Sequence, residues 1–516
     1  MLFHLSQHHL PEYTIVRNNS KKRARTQAGT LPLSHERSIH LTNVICEFII
    51  RDLEPISFVE SSKTLKKLLK EIEPSYVIPT RNYFRDNVMK KKCVEVGTEL
   101  RRDTRSGMDC NFIGDHNADN IRERIHDTLI RWSVLACVVC VVTDNTNVMV
   151  KVGRDLKLGW VGCFSHLLQT VVKTGSDVPD IKVQLTNVEK TASHIRRSYK
   201  AKDDLQHAQN QLGLTPRDLV QDVETRWNSG FYMIQRFVEE EQPLLLCFIN
   251  PDFLRRFKDT RIVTGIDFCT LKLLLKILEP LEEMTRDISS ATTSTMSLIL
   301  VFLTVVLNSL EPDLTRIDDM RIAMNSQLNK WFKESFLNKF YLLSTILDAR
   351  FKHFTFVQPS SFQANGVAAK TLVDWNSNGA LVLAEKFLHN EYLIMSTPAP
   401  GTTRASSPLP SPPPTSLLSR IVTKQHSVIS NEYTSYLSEP EIRDNECALV
   451  WWRKNQSRCP TIAKIARKFL CIPATSTPAE RVFSLSGFIT NERRSRLSPD
   501  CANDIIFLNR NSHFRE

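Results

Sequence analysis

One stretch of this chain reads as a buried β-strand, and most of what surrounds it reads as helix. Val134 to Val142 is a continuous apolar, largely β-branched run closed by Thr143-Asp144-Asn145. Such a run suits a strand covered on both faces, as in an α/β sheet. Before it, Ala118 to Trp132 carries Ile121, Ile125, Leu129 and Ile130 at helical spacing. After it come helix-like segments around Phe164 to Lys173 and through residues 181–213. From Phe231 to about Ile394 nearly everything has helical periodicity, including Leu271 to Leu278, Leu298 to Leu307 and Phe332 to Leu343. The expected fold class is therefore α+β and α-rich.

At 516 residues a single core is improbable, and the chain divides by pattern. Residues 1–35 form a polar, disordered tail with the basic cluster Lys21-Lys22-Arg23-Ala24-Arg25, which suits nuclear import, phosphate contact or plain solvation. Residues 36–92 form a small helical module, with Ile39, Val44, Cys46, Phe48 and Ile49 in one apolar series and Leu65, Leu68, Leu69 and Ile72 in the next. Residues 93–115 are a junction whose stretch Glu99 to Gly107 is polar and has no period of either kind. Residues 116–230 hold the strand and its flanking helices, 231–395 the helical run, and 396–438 a Pro- and Ser-rich linker. Residues 439–516 form a last compact helical block.

Composition narrows the class further. There are 67 Lys and Arg against 56 Asp and Glu, a net charge of +11 that leans mildly towards an anionic partner. Hydrophobic residues at 41% and charged residues at 24% exclude a wholly disordered chain, a collagen-like fibre and a coiled-coil rod. No secretory start is evident, and the apolar stretch Leu298 to Leu307 is about half of what a bilayer-spanning helix needs, so no membrane partner is expected. The 12 Cys form no disulfide framework, as suits a reducing cytosol or nucleus. Cys137 and Cys140 are the only close pair; without a second pair of ligands they read as buried strand thiols rather than a zinc site.

Four separated stretches carry a resemblance. The first is Val141-Val142-Thr143-Asp144-Asn145 with Asn147-Val148-Met149, followed by Gly159-Trp160 and Cys163-Phe164-Ser165-His166. The second is Val223-Glu224-Thr225-Arg226-Trp227-Asn228-Ser229, and the third is Leu347-Asp348-Ala349-Arg350-Phe351-Lys352. The fourth runs from Trp451-Trp452 through Pro473-Ala474-Thr475-Ser476-Thr477-Pro478-Ala479-Glu480-Arg481-Val482-Phe483-Ser484. In order and spacing over about residues 36–510 these resemble the hAT superfamily of transposases and their host-adopted relatives, the zinc-finger BED-type proteins. The resemblance implies a ribonuclease-H-like core interrupted by a large all-helical insertion, an N-terminal helical module and a C-terminal dimerisation region at 439–516.

Such a core holds two divalent metal ions with three carboxylates, because two hard cations clamp the attacking and leaving oxygens of DNA strand cutting. The resemblance places the second Asp at Asp144, just beyond the carboxyl end of a strand, where open α/β sheets bind ligands. Read without it, Asp144 is a turn or helix-capping residue. The Glu falls on Glu480, where Thr477-Pro478-Ala479-Glu480 also reads as a capping box with Thr477 at the N-cap. The first Asp is missing: only 93–115 occupies its interval, and Asp103, Asp109 and Asp115 follow no strand-like run. The triad is thus incomplete. Mg²⁺ or Mn²⁺ at Asp144 and Glu480 is expected only if the chain is catalytic, and otherwise no cofactor is expected.

Cys163 and His166, three apart, are a motif of this family and read locally as a packed core pair on one helix face. Arg226 and Trp227 lie at the start of the insertion, where the resemblance implies that Trp can stack on a displaced base; the other reading is a core Trp anchoring Phe231 and Met233. In the last block Ile462, Ile465, Ala466, Phe469 and Leu470 share one helix face, with Lys464, Arg467 and Lys468 largely opposite. Lys464, Lys468, Arg493 and Arg494 form a positive rim suited to DNA phosphates. No Cys precedes Cys46, so the Cys pair of a BED finger is not in this sequence. The expectation is a nuclear, DNA-binding homodimer or higher homo-oligomer without transposition activity. An active metal-dependent transposase and a fragment that only pairs with intact relatives are the alternatives.

Overall fold

The structure, a computed structural model, describes residues 30–102, 117–223, 227–290, 292–310, 316–357, 377–396, 432–489 and 497–511. It is mostly helical, with two short strands among the described residues. Helices of eight residues or more are numbered here in chain order. The first four are α1 (Glu36–Arg51), α2 (Lys63–Ile72), α3 (Lys90–Arg102) and α4 (Ala118–Arg131). Strand β1 (Cys140–Thr143), α5 (Asn147–Asp155) and β2 (Gly159–Gly162) follow. Next are α6 (Phe164–Ser176), α7 (Pro179–Arg197), α8 (Tyr199–Gln211), α9 (Trp227–Glu239), α10 (Glu241–Phe248) and α11 (Phe268–Ile288). Then come α12 (Leu298–Ser309), α13 (Asp318–Leu337), α14 (Lys339–Ile346) and α15 (Ser377–Ser396). The chain ends with α16 (Ala448–Asn455), α17 (Pro460–Leu470), α18 (Thr477–Ile489) and α19 (Pro499–Arg510).

The chain forms two compact units, Met1–Val138 with Ala479–Glu516, and Val139–Pro478. The block 439–516 is thus shared between them. In the first unit Leu41, Ile45 and Ile49 of α1 pack with Phe84, Met89, Ile505 and Leu508 in one core. The Asn509 amide donates to the Ile50 carbonyl at 2.8 Å, satisfying an acceptor near the end of α1.

In the second unit β1 and β2 pair in parallel, Thr143 opposite Gly162, joined by the crossover through α5. The apolar run 134–142 is therefore not one long strand covered on both faces. Ser133 sits in the left-handed region (φ 57°), Leu135–Cys137 is a 3₁₀ turn, and only Cys140–Thr143 is strand. Apolar composition cannot tell a turn of this kind from a strand. Cys137 is exposed and Cys140 half-buried, correcting the expectation of two buried strand thiols. Two other boundaries move as well. α3 runs through Arg102, so the first part of the junction 93–115 is helical and the rest lies outside the described residues. The Phe332 to Leu343 segment is two helices, broken where Asn338 leaves helical geometry to cap α14 by accepting the Phe340 N–H at 2.8 Å. By contrast α12 is buried along Ile299, Leu300, Leu303, Val306 and Leu307, as its apolar run implies.

Candidate functional site

The first signature stretch and residues 474–476 of the fourth meet beyond the carboxyl end of β1. The Thr143 carbonyl accepts the Cys163 N–H at 2.6 Å, and its hydroxyl accepts the Trp160 indole N–H at 3.0 Å. Asp144 follows as the first residue beyond the strand and is half-buried. Its Oδ1 accepts the Thr146 hydroxyl at 2.8 Å, the closed turn expected of Asp in Asp-x-Thr. The N-cap of α5 is Thr146 itself, so the capping role falls two residues later than Asp144. The Asn145 amide donates to the Cys163 carbonyl at 3.3 Å, and its other end fills the space beside Gly162, where any side chain would collide.

Cys163 and His166 are not a packed pair. Cys163 is the N-cap of α6 in extended geometry (φ −61°, ψ 120°), so the three-residue spacing does not place both side chains on one helix face. Cys163 is buried and His166 exposed. The Cys163 Sγ accepts the Ser476 N–H at 3.3 Å, the Phe164 N–H donates to the Ala474 carbonyl at 3.0 Å, and the Ala474 N–H donates to Thr295 Oγ1 at 2.9 Å. Residues 163–164, 295 and 474–476 are thereby joined. Glu480 is an exposed residue in the first turn of α18, and it belongs to the first unit whereas Asp144 belongs to the second. The helix begins at Thr477, whose N–H donates to Thr475 Oγ1 at 3.3 Å, so Thr477 is the first helical residue rather than the cap. Among the described residues no group of three or more His, Cys, Asp and Glu is placed to hold a metal ion. Among the described residues of the second unit the groups around Asp144 do not supply the three carboxylates of a two-metal centre, and no metal-dependent step follows from them.

The third stretch is a buried polar knot. Asp348 is fully buried and takes the Arg350 guanidinium as a fork, Nε at 2.9 Å and Nη2 at 2.7 Å, plus the Ser297 hydroxyl at 2.6 Å. Burial works against the Arg350 charge, but Asp348 outweighs it and raises the guanidinium above its usual value. Lys352 is fully buried too, its ammonium donating to the Tyr436 carbonyl at 2.6 Å and lying over the Tyr436 ring. Burial brings Lys352 down to about 8. The Trp452 indole donates to the Leu347 carbonyl at 2.6 Å, tying the fourth stretch to the third. Sequence reasoning missed these roles because nothing local in Leu-Asp-Ala-Arg-Phe-Lys reveals which charges are buried.

The residues expected to touch DNA divide into three groups. Arg226, Arg493 and Arg494 lie outside the described residues. Trp227 is half-buried and packs against the main core, of which Phe231 and Met233 are members, and its Nε1 is buried without a hydrogen-bond partner among the described residues. Lys464 is exposed on α17, as is Arg467, whereas the Lys468 ammonium pairs with buried Glu391 at 2.8 Å. Lys339 pairs with the same carboxylate. Burial raises Glu391, but the two lysines more than offset it and hold its carboxyl below the usual range. The positive rim therefore loses Lys468 to an internal pair.

Two segments match known families: residues 432–512 the hAT family C-terminal dimerisation region, and residues 161–250 the ZBED1 RNase-like helical domain. Zinc finger BED domain-containing protein 4 of Homo sapiens is 22% identical over 92% of this chain and 44% of its own length. Zinc finger BED domain-containing protein 6 of Homo sapiens is 22% identical over 94% and 57%. A Zea mays sequence named for the AC transposase is 22% identical over 76% and 51%. The chain thus spans about half the length of the curated relatives it matches.

Proposed function

We propose that this chain, a transposase-derived protein of the hAT and zinc-finger BED type, works as a dimerising DNA-binding protein of the nucleus that does not cut DNA. The match of 432–512 to the dimerisation region carries the reading. Within that segment α17 buries Ile462, Ile465, Ala466, Phe469 and Leu470 and leaves Lys464 and Arg467 to solvent, a polarity suited to phosphate contact. The β1–α5–β2 crossover followed by α6 supports a ribonuclease-H-like core, incomplete in strands, into which residues 231–395, from α9 to α15, are inserted. Strand cutting is lost because the interval 93–115 carries no Asp-bearing strand in its sequence; α3 occupies its first part, and Asp103, Asp109 and Asp115 lie outside the described residues. Arg226 and Trp227 form a DNA contact at the head of the insertion in this reading.

Sedimentation at micromolar concentration is expected to show a dimer, and DNA affinity is expected to fall steeply between 50 and 200 mM salt. A strict monomer removes the dimer, and salt-independent binding removes the phosphate contacts. Strand cleavage with Mg²⁺ or Mn²⁺ that is abolished by Asp144→Ala and by Glu480→Ala would restore the enzyme.

A further inference from the structure

The corner between α7 and α8 holds an open groove of about 610 Å³ lined by Glu189, Lys190, Ser193, His194, Arg197 and Gln221, with Ser198 at its end. Lys190, His194 and Arg197 stand at i, i+4 and i+7 of α7, so one helix face presents all three. The next residues, Tyr199 and Lys200, open α8; Lys200 is exposed and Tyr199 is 84% exposed. Neighbouring cations are already engaged. Arg196 donates to the Leu219 carbonyl at 2.7 Å, Lys202 pairs with Asp218 at 2.8 Å, and Arg256 pairs with Asp204. Lys190 and Arg197 in the lining, and Lys200 beside it, make no ion pair among the described residues. Glu189 is the acid in the lining, and Asp259, already held by Arg261, lies near enough to Lys190 to interact with its charge. His194 packs against Phe257 at a tilt of 37° with ring centroids 4.2 Å apart, and burial with Arg256 nearby keeps it below its usual value, so it adds no charge to the groove lining at neutral pH.

We propose that this groove binds single-stranded nucleic acid, phosphates meeting Lys190, Arg197 and Lys200 and one unpaired base stacking on Tyr199. A large aromatic ring left almost wholly in water has no packing role, and beside unpaired cations it forms the combination that holds single strands. Duplex DNA offers the phosphates but no free base face for Tyr199, so the ring selects the single strand. The inference rests on the DNA-binding reading above and names one place where that binding occurs.

The test uses the full chain with a fluorescent oligothymidylate of twenty nucleotides and a duplex of equal length, each titrated at several salt concentrations. Tyr199→Ala is expected to weaken single-strand binding roughly 5- to 100-fold, with Tyr199→Phe close to the parent and duplex affinity nearly unchanged. The triple change Lys190→Ala, Arg197→Ala and Lys200→Ala is expected to lower the single-strand salt slope by about 2, at ~0.7 per phosphate. These side chains are exposed, so the variants test binding and not folding. If the chain binds neither oligonucleotide, the broader DNA reading fails and this one with it. If it binds DNA but Tyr199→Ala and the triple variant match the parent, this proposal alone is overturned. Binding of polyglutamate that the triple variant loses, with single-strand affinity untouched by Tyr199→Ala, overturns it in favour of an acidic protein partner.

Discussion

Lys352 donates to the backbone carbonyl of Tyr436 at 2.6 Å while its ammonium lies 4.7 Å from the centroid of the same residue's ring. Both contacts hold a cation in a place without water, and they do not fully compensate its lost hydration, since burial lowers Lys352 to about 8. Below that pH both folded and unfolded chains carry the proton, and the folded state bears the whole cost. Between about pH 8 and the free-lysine value of ~10.4 the unfolded chain binds more protons, so this residue's contribution to stability rises with pH. Urea midpoints at pH 7, 8, 9 and 10 for the parent and Lys352→Met check this. The parent should gain on the variant as pH rises, and a constant gap would refute it.

The Asp348–Arg350 fork predicts a large cost for a nearly isosteric change. Asp348→Asn leaves a mostly buried guanidinium without its anion, which costs about 3–5 kcal/mol. Adding Arg350→Met should recover part of that loss, because no charge is then left unpaired. Chemical denaturation of both variants measures it, and additive losses would show that the pair is not coupled.

Lys464 and Lys468 lie one helical turn apart on α17 but should behave differently. Lys464→Ala is expected to weaken DNA binding and lower the duplex salt slope by ~0.9, one phosphate's share. Lys468→Ala should leave that slope alone and reduce stability, because Glu391 keeps only Lys339. Glu391 sits below the usual carboxyl range, so its contribution is present above the unfolded value of ~4.3 and is lost as pH falls through the folded one. The destabilisation by Lys468→Ala should therefore shrink in acid.

Phe483 is 69% exposed on α18 within the segment that matches the dimerisation region. An aromatic ring in that position is a candidate anchor for the second subunit. Phe483→Asp should raise the dimer dissociation constant about 30-fold, the equivalent of a hot spot of ~2 kcal/mol. Analytical ultracentrifugation reads this directly, and an unchanged constant would place the interface elsewhere.

Thiol labelling separates cysteines by environment. Cys137 and Cys269 are exposed and should take up iodoacetamide in the native chain. Cys46, Cys163, Cys247, Cys459 and Cys501 are buried and should react only on unfolding, with burial raising Cys247 and Cys501 to about 11. Mass spectrometry of peptides before and after urea reports both sets.

The parts of the fold legible in the sequence are those set by local periodicity. The buried face of α17, Ile462, Ile465, Ala466, Phe469 and Leu470, follows directly from spacing, as does the buried stripe of α12. Length and edges of apolar runs were not legible, because Val134 to Val142 carries no mark at the left-handed Ser133 or the turn at Leu135–Cys137. Pairing between distant residues was hidden altogether. Lys468 finds Glu391 77 residues away, and Lys352 finds Tyr436 84 residues away, so neither charge could be assigned from its neighbours. Cys163 and His166 show the converse: helical spacing does not hold across a helix start, and Cys163 lies just outside α6 as its N-cap.

At Ala474 two main-chain groups serve two separate parts of the second unit, the carbonyl receiving Phe164 and the N–H reaching the Thr295 hydroxyl. The bonds themselves do not depend on the side chains, but the side chains are not free to vary. Phe164 and Ala474 are both fully buried in the main core, so a smaller residue at 164 leaves a cavity and a larger one at 474 overfills the site, even where the main-chain bonds could still form. Proline at either position would remove a donor as well. The junction is thus constrained twice, by the donors and acceptors of its backbone and by the volumes that hang from it.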